Sequence, residues 1–144
     1  LVNTGALNLT EVTTANGGIT VLNTGGVVTQ GVIQAVGGQA SITANSPLTI
    51  GAGGVSATGN ITLVASNLTS TGNMVLNGNV SSSTGSVSMN AANNFTQNGT
   101  VNGPLGISTT AGGSVSFGPP AASTGTPQSY TAGGTPVAAP TPPA

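Results

Sequence analysis

The fold of this chain is decided by three short phrases: Gly59-Asn60-Ile61-Thr62-Leu63, Gly72-Asn73-Met74-Val75-Leu76 and Gly85-Ser86-Val87-Ser88-Met89. Each phrase opens with a glycine and a small polar residue and continues with alternating apolar and polar side chains. Because successive side chains of a strand point to opposite faces, this alternation places Ile61 and Leu63 on one face and Thr62 on the other. The phrases therefore predict short strands with one buried face.

The same phrase returns along the chain, at Gly113-Ser114-Val115-Ser116-Phe117 and more loosely at Gly17-Gly18-Ile19-Thr20-Val21 and Gly38-Gln39-Ala40-Ser41-Ile42. From Gly17 to Gly113, two intervals of twenty-one between the opening glycines are followed by two of thirteen and one of twenty-eight. Self-similarity at about 20 residues is typical of stacked coils that bury their apolar faces only against each other. We predict an all-β fold, a β-solenoid of about five coils, with an antiparallel β-sandwich as the alternative. Because thirteen residues are too few for a triangular coil, we expect the middle to form a two-sided coil of about 26 residues or short hairpins.

Composition divides the chain into three zones. Residues 1–16 are predicted to form an N-terminal strand or cap that can pair with a neighbouring subunit, and residues 17–118 form the repetitive body. Residues 119–144 hold seven of the nine prolines. Proline lacks the N–H of a ladder donor and favours polyproline II, so we predict an extended Pro/Ala/Thr-rich tail outside the sheet, held against its own or an adjacent subunit.

The composition excludes most functional chemistry. The 144 residues include no Lys, Arg, His, Cys or Trp and a single acid, Glu11. General acid–base and nucleophilic catalysis, metal binding and phosphate contacts to nucleic acid all depend on those residue types. We therefore predict no enzyme, no cofactor, no metal, no nucleic-acid partner and, since long apolar runs are missing, no membrane span. Lone Glu11 is expected at the surface, and Tyr130 is expected to dock on a neighbour.

Asparagine and threonine provide the remaining motifs. Sequons that could carry glycans in a glycosylating source occur at Asn8, Asn60, Asn67, Asn79, Asn94 and Asn98,. Asn-Gly pairs begin at Asn16, Asn77, Asn98 and Asn102 and predict turns,. The threonines Thr20, Thr43, Thr62 and Thr96 are scattered in the sequence, which does not predict the regular threonine ladder of an ice-binding face.

Two stretches carry a resemblance to a known family. Residues 59–68 and 85–99, GNITLVASNL and GSVSMNAANNFTQNG, resemble the repeat body of filamentous haemagglutinin-like exoproteins and autotransporter adhesins. The resemblance covers about two thirds of the chain, which is shorter and less charged than typical members. It implies a right-handed β-helix that is secreted and displayed at the bacterial cell surface.

These observations favour a structural role over a catalytic one. The near absence of charge removes the self-repulsion that keeps copies apart and the charged side chains that usually guard strand edges. We predict a subunit of an extracellular, cell-surface filament that assembles head to tail with itself through strand and tail contacts. The alternatives are an adhesin stalk or binding module that recognises a glycan or a host protein, and a functional amyloid.

Overall fold

The structure is a computed structural model that describes residues 1–68 and 71–141. The described residues form strands, turns and bends but no helix. In chain order the strands are β1 Val2–Asn3, β2 Leu7–Leu9, β3 Val12–Asn23, β4 Val27–Thr29, β5 Ile33–Ala44, β6 Leu48–Ile50, β7 Val55–Ala57, β8 Ile61–Ala65, β9 Met74–Leu76, β10 Val80–Ser82, β11 Val87–Ala91, β12 Phe95–Gln97, β13 Thr100–Asn102, β14 Ile107–Ala111, β15 Val115–Phe117, β16 Ala122–Thr124, β17 Gln128–Ala132 and β18 Thr135–Val137.

These strands wind into about six coils with three faces. Face 1 is the six-stranded sheet β2-β4-β6-β9-β12-β15. Face 2 contains the first halves of β3 and β5 followed by β7, β10, β13 and β16. Face 3 contains β1, the second halves of β3 and β5, and then β8, β11, β14, β17 and β18. Since β3 and β5 turn the corner without a break, faces 2 and 3 count as one twelve-stranded sheet.

The strand pairing is parallel from coil to coil, which confirms the predicted β-solenoid. On face 3 the five residues of β8, β11, β14 and β17 stand in continuous register. Among the described residues, the hairpin β17–β18 is the single antiparallel pair. The alternative of an antiparallel β-sandwich is therefore wrong.

The irregular glycine spacing has a simple geometric cause. Thr43 of β5 pairs with Val64 of β8, and Val64 pairs with Asn90 of β11, so the second of these two coils is the longer one. The extra length falls between the end of β8 and the start of β9. Two spacings of thirteen thus span one long coil, because the Gly72 phrase lies on face 1 and its two neighbours lie on face 3. The length expected for this middle coil is correct, but the coil has three sides, so the two-sided coil and the hairpins are wrong.

A slim aliphatic core runs along the axis. In β8, Ile61 and Leu63 are fully buried while Thr62 between them is partly exposed. Each inward position stacks on its equivalent in the next coil, as Ile42 does on Leu63 and Leu63 on Met89. Burying one such side chain contributes about 1.5–3 kcal/mol, and no coil gains this without its neighbours.

The corners bring backbones of adjacent coils into contact. A Cβ on Gly31 would lie 1.8 Å from the carbonyl oxygen of Thr10 in the coil before it. Asparagine side chains fill other corners: Oδ1 of Asn94 accepts from the backbone N–H of Ser114 at 2.9 Å in the following coil. Small polar residues are thus required at the corners by close approach and by backbone groups that need partners.

The zones predicted from composition differ from the observed elements. The boundary at residues 16 and 17 falls inside β3, so residues 1–16 belong to the first coil. The expectation that residues 119–144 remain outside the sheet is wrong for β16 and β17, which pair in parallel with β13 and β14. The reason is the position of the prolines: Pro119, Pro120 and Pro127 lie just before these strands, where no ladder donor is needed,. Pro136 lies on β18, the outermost strand of the sheet.

Candidate functional site

The C-terminal end of the solenoid is covered by its own chain on face 3 and in part on face 2, while no described strand lies on the outer edge of β15 on face 1. Strand β18 folds back on β17 and covers the edge of face 3. On face 2, the backbone N–H of Ser123 in β16 donates to the carbonyl oxygen of Pro140 at 3.1 Å. Val137 and Ala139 pack against the hydrophobic core. The described part of the tail is therefore held against its own subunit. This is one of the two arrangements that the sequence analysis predicts, the other being contact with an adjacent subunit.

Beneath this cover, three polar side chains from the three faces meet on the axis. Nε2 of Gln97 on face 1 donates to the carbonyl oxygen of Ala122 at 3.0 Å and to Oγ of Ser123 on face 2 at 3.3 Å. The Tyr130 hydroxyl on face 3 donates to Oε1 of Gln97 at 3.1 Å, and it also shares a hydrogen bond with Oγ of Ser123. We call Gln97, Ser123 and Tyr130 the axial cluster.

The axial cluster is sealed from solvent. Tyr130 is 2% exposed, and the ring of Phe117 meets its ring edge-on with centroids 5.3 Å apart. Burial raises the pKa of the Tyr130 phenol above its usual value, and the hydrogen bond with Ser123 opposes this. The phenol is thus a neutral hydrogen-bonding group at ordinary pH. The prediction that Tyr130 docks on a neighbour is wrong, because the side chain completes the core of its own last coil.

The strand edges at the N-terminal end are mostly uncovered. Strand β1 covers only Leu22 and Asn23 of the coil below it, and in the described residues no strand lies on the outer edges of β2 and of the first half of β3. Leu1 and Val2 are 63% and 78% exposed. A depression of about 220 Å³ opens here, and it is lined mainly by Leu1, Val12, Ile19 and Val21. We call this surface the open end.

A buried asparagine holds the first turn at the open end. Nδ2 of Asn23 donates to the carbonyl oxygens of Gly5 at 2.8 Å and Gly26 at 2.9 Å. Its Oδ1 accepts from Nδ2 of Asn3 at 3.0 Å. In the next coil the same inward position is Ala44. Asn23 therefore binds backbone groups of the turns before β2 and β4 and the side chain of Asn3, whereas the axial cluster joins side chains from three faces.

The outer surface of face 3 carries a row of hydroxyl groups. The register aligns one outward residue from each coil: Thr20, Ser41, Thr62, Ser88, Ser108 and Ser129. Successive layers of a sheet are about 4.8 Å apart. The parallel outward row mixes aliphatic, amide and hydroxyl side chains, among them Leu22, Val64 and Asn90. The hydroxyl row is mostly serine, so it is not the threonine ladder of an ice-binding face.

The predicted glycosylation residues are mostly corner residues. Asn8, Asn60, Asn79 and Asn94 are exposed, and Asn67 and Asn98 are partly buried. Oδ1 of Asn60 accepts from Ser86 and Oδ1 of Asn79 accepts from Thr100, each in the following coil. Asn60, Asn79, Asn94 and Asn98 thus link adjacent coils, and glycan attachment stays a prediction at all six positions. Glu11 is exposed, as expected.

The sequence analysis missed Gln97 and Ser123. The signal for Gln97 was present, because the alternation in Phe95-Thr96-Gln97 places Gln97 on the same inward face as Phe95,. A polar side chain at an inward position must find buried partners. Nothing in the local sequence identified those partners, since they come from two strands that lie 25 to 33 residues further along.

No family model, curated protein or solved structure matches this chain. Within residues 1–68 and 71–141 there is no helix long and apolar enough to cross a membrane. The same residues contain no group of three or more His, Cys, Asp or Glu side chains. The open end and the hydroxyl row on the outer side of face 3 are the candidate functional surfaces, because of their geometry.

Proposed function

We propose that this chain is a structural, non-catalytic β-solenoid segment of an extracellular, cell-surface filament. It is built as a rod: in-register parallel coils, a continuous aliphatic core and almost no ionisable groups. Such a rod has little protonation linkage at ordinary pH, because stability changes with pH only where the folded and unfolded states bind protons differently. This suits a protein outside the cell, where pH and salt vary.

The observation that carries the proposal is the difference between the two ends. At the open end, β2 and the first half of β3 present strand edges with N–H and C=O groups directed along the axis. Natural proteins protect such edges with charges, prolines or covering segments. Here the nearest charged side chain is Glu11, which lies in the loop between these two strands. The C-terminal end, by contrast, has β18 and Pro136 over face 3 and the segment around Pro140 beside β16, so that in the described part of this end only β15 on face 1 has a fully uncovered edge.

The rod is therefore extended at the open end by a further β-layer. That layer comes from a neighbouring subunit or from a preceding segment of a longer chain, since both would present the same backbone groups. A simple head-to-tail contact would have to displace the residues that follow β17 in the neighbouring subunit. We propose that the open end contributes more to assembly than the C-terminal end.

Paired lysine variants test this proposal. Asn8→Lys with Thr13→Lys places two charges on outward, exposed positions of the open-end strands without touching the core,. The matched control is Ser116→Lys with Thr124→Lys on the outward positions of β15 and β16. Sedimentation velocity over a range of concentrations should show association of the wild type, weaker association of the control and a monomer for the open-end variant, because the open end contributes more to assembly. A wild type that stays monomeric at every concentration contradicts the proposal, and so does loss of association in the control alone.

A second function is favoured by the hydroxyl row. Six aligned Ser and Thr side chains could recognise a linear glycan, as in an adhesin binding module. Beside the row, a groove of about 240 Å³ is lined by Ser88, Ser108 and Ser129 and by the apolar Leu105 and Pro127. Binding of the soluble monomer to a glycan array, abolished by Ser108→Lys and retained by Thr96→Lys on face 1, would favour this function. A blank array would exclude it and leave the structural proposal in place.

A further inference from the structure

Four Asn-Gly pairs share one latent reaction. The backbone nitrogen of a glycine can attack the side-chain carbonyl carbon of the asparagine before it, because glycine has no Cβ to hinder the approach. The Cγ–Nδ2 bond then breaks and ammonia leaves with the proton from the glycine nitrogen. Water opens the resulting five-membered imide to aspartate or isoaspartate. Water is the only co-reactant, and no oxidation or reduction occurs.

Three of the pairs are held in hydrogen bonds that oppose this attack. The glycine N–H groups donate to a neighbouring coil: Gly78 to the carbonyl oxygen of Ile50 at 3.3 Å, Gly99 to that of Leu76 at 3.1 Å and Gly103 to that of Thr124 at 2.9 Å. These glycines are also buried.

The asparagine side chains of these three pairs are tied as well. Nδ2 of Asn98 donates to Oδ1 of Asn77 at 2.9 Å, and Nδ2 of Asn102 donates to the carbonyl oxygen of Ser82 at 3.3 Å. For the attack to occur, both the glycine nitrogen and the amide must leave these partners. The reaction then requires local opening of the coil.

The fourth pair, Asn16-Gly17, lies in a bulge. Thr14 pairs with Ala35 and Gly17 with Gly37, so Ala15 and Asn16 of β3 stand opposite Val36 alone in β5. The extra residue of a bulge is left out of the ladder. Asn16 is exposed, and it lies in the first coil beside the open end.

We infer that Asn16 is a site of covalent self-modification in the folded protein: it deamidates to aspartate or isoaspartate, while Asn77, Asn98 and Asn102 stay protected. The product adds one carboxylate to a chain whose net charge is −1. The modification therefore leaves a second negative charge at the corner of the first coil.

The charge change makes the reaction easy to follow. The full-length chain is incubated folded in mildly alkaline buffer, sampled by anion exchange and located by fragmentation of the intact protein, since trypsin has no Lys or Arg to cleave after. The wild type should accumulate a more acidic form modified at Asn16. Asn16→Gln should abolish that form, and the matched control Asn98→Gln should leave it unchanged.

The same incubation in concentrated urea provides the reference rates. Folding should slow deamidation at Asn77, Asn98 and Asn102 by at least about tenfold, the effect of about 1.4 kcal/mol of local opening, and should slow Asn16 much less. The inference is overturned if the acidic form persists in Asn16→Gln, or if folding protects Asn16 as strongly as the other three.

Discussion

The two ends of this solenoid share an aliphatic core but differ in how far their strand edges are covered. At the C-terminal end, side chains from all three faces converge in the axial cluster and the chain folds back over it. At the open end, Asn23 joins the turns before β2 and β4 and the side chain of Asn3, and no described strand lies on β2 or on the first half of β3. The comparison shows that stacking of coils does not by itself protect the strand edges of a terminal coil. The last coil needs either a polar cluster that joins the three faces beneath a covering hairpin, or a further β-layer from elsewhere.

The largest expected effect on the free energy of unfolding comes from disrupting the axial cluster. Tyr130→Ala removes a buried ring and leaves Gln97 and Ser123 without their hydroxyl partner, so unfolding should become easier by about 3–5 kcal/mol. At the open end, Leu9→Ala should cost only about 2 kcal/mol, because one side of that coil has no covering layer. Urea unfolding followed by circular dichroism measures both values. A larger loss for Leu9→Ala would reverse the comparison.

The next effect concerns the open end itself. Asn23→Ala leaves the carbonyl oxygens of Gly5 and Gly26 without their donor, so we expect a loss of about 1–3 kcal/mol. Asn8→Ala is the matched control, since Asn8 is exposed on the adjacent strand and should change stability by less than about 0.5 kcal/mol. Urea midpoints of the two variants decide the point. Equal values would mean that Asn23 does not hold the first turn.

These contrasts also show what the sequence could predict. The alternation in Ile61-Thr62-Leu63 was sufficient for strands and inward faces, because its period is local. The stacking of coils was predicted from the repeat of about 20 residues, with an antiparallel sandwich as the alternative. The three-sided path of the coil around Gly72 was not readable, since the same phrase serves face 1 and face 3 and only the pairing separates them. The buried position of Tyr130 was missed for a related reason. Its partner Gln97 lies 33 residues away, and the proline-rich composition around Tyr130 suggested a chain outside the sheet.

Alkaline pH should weaken the C-terminal end selectively. The raised pKa of Tyr130 means that the folded chain holds the phenolic proton more tightly than the unfolded chain. Its contribution to stability is complete below the unfolded pKa, about 10, and is lost as pH rises through the folded pKa. The urea midpoint should therefore fall above pH about 10. Because the chain has one Tyr and no Lys, Tyr130→Phe should remove most of this decrease in the urea midpoint. A decrease that persists in the variant would mean that another group causes it.

The smallest expected effect on stability comes from a charge at the open end, which should instead change the association of subunits. Asn16→Asp adds one charge to an exposed bulge beside the open end, so stability should change by no more than about 0.5 kcal/mol. Association measured by sedimentation at low salt should nevertheless weaken, because charge at a strand edge opposes pairing. Asn94→Asp, on an exposed corner in the fifth coil, is the control. Equal weakening in both variants would point to net charge rather than to the edge.

Residue-resolved hydrogen exchange of the folded chain, at low and at high protein concentration, tests the central claim most directly. At low concentration the amides of β1, β2 and the first half of β3 should exchange at least about tenfold faster than those of β14 and β17. At high concentration the open-end amides should gain more protection than the C-terminal amides. Uniform protection along the axis, or a gain confined to β15 and β16, would contradict the assignment of one open and one closed end.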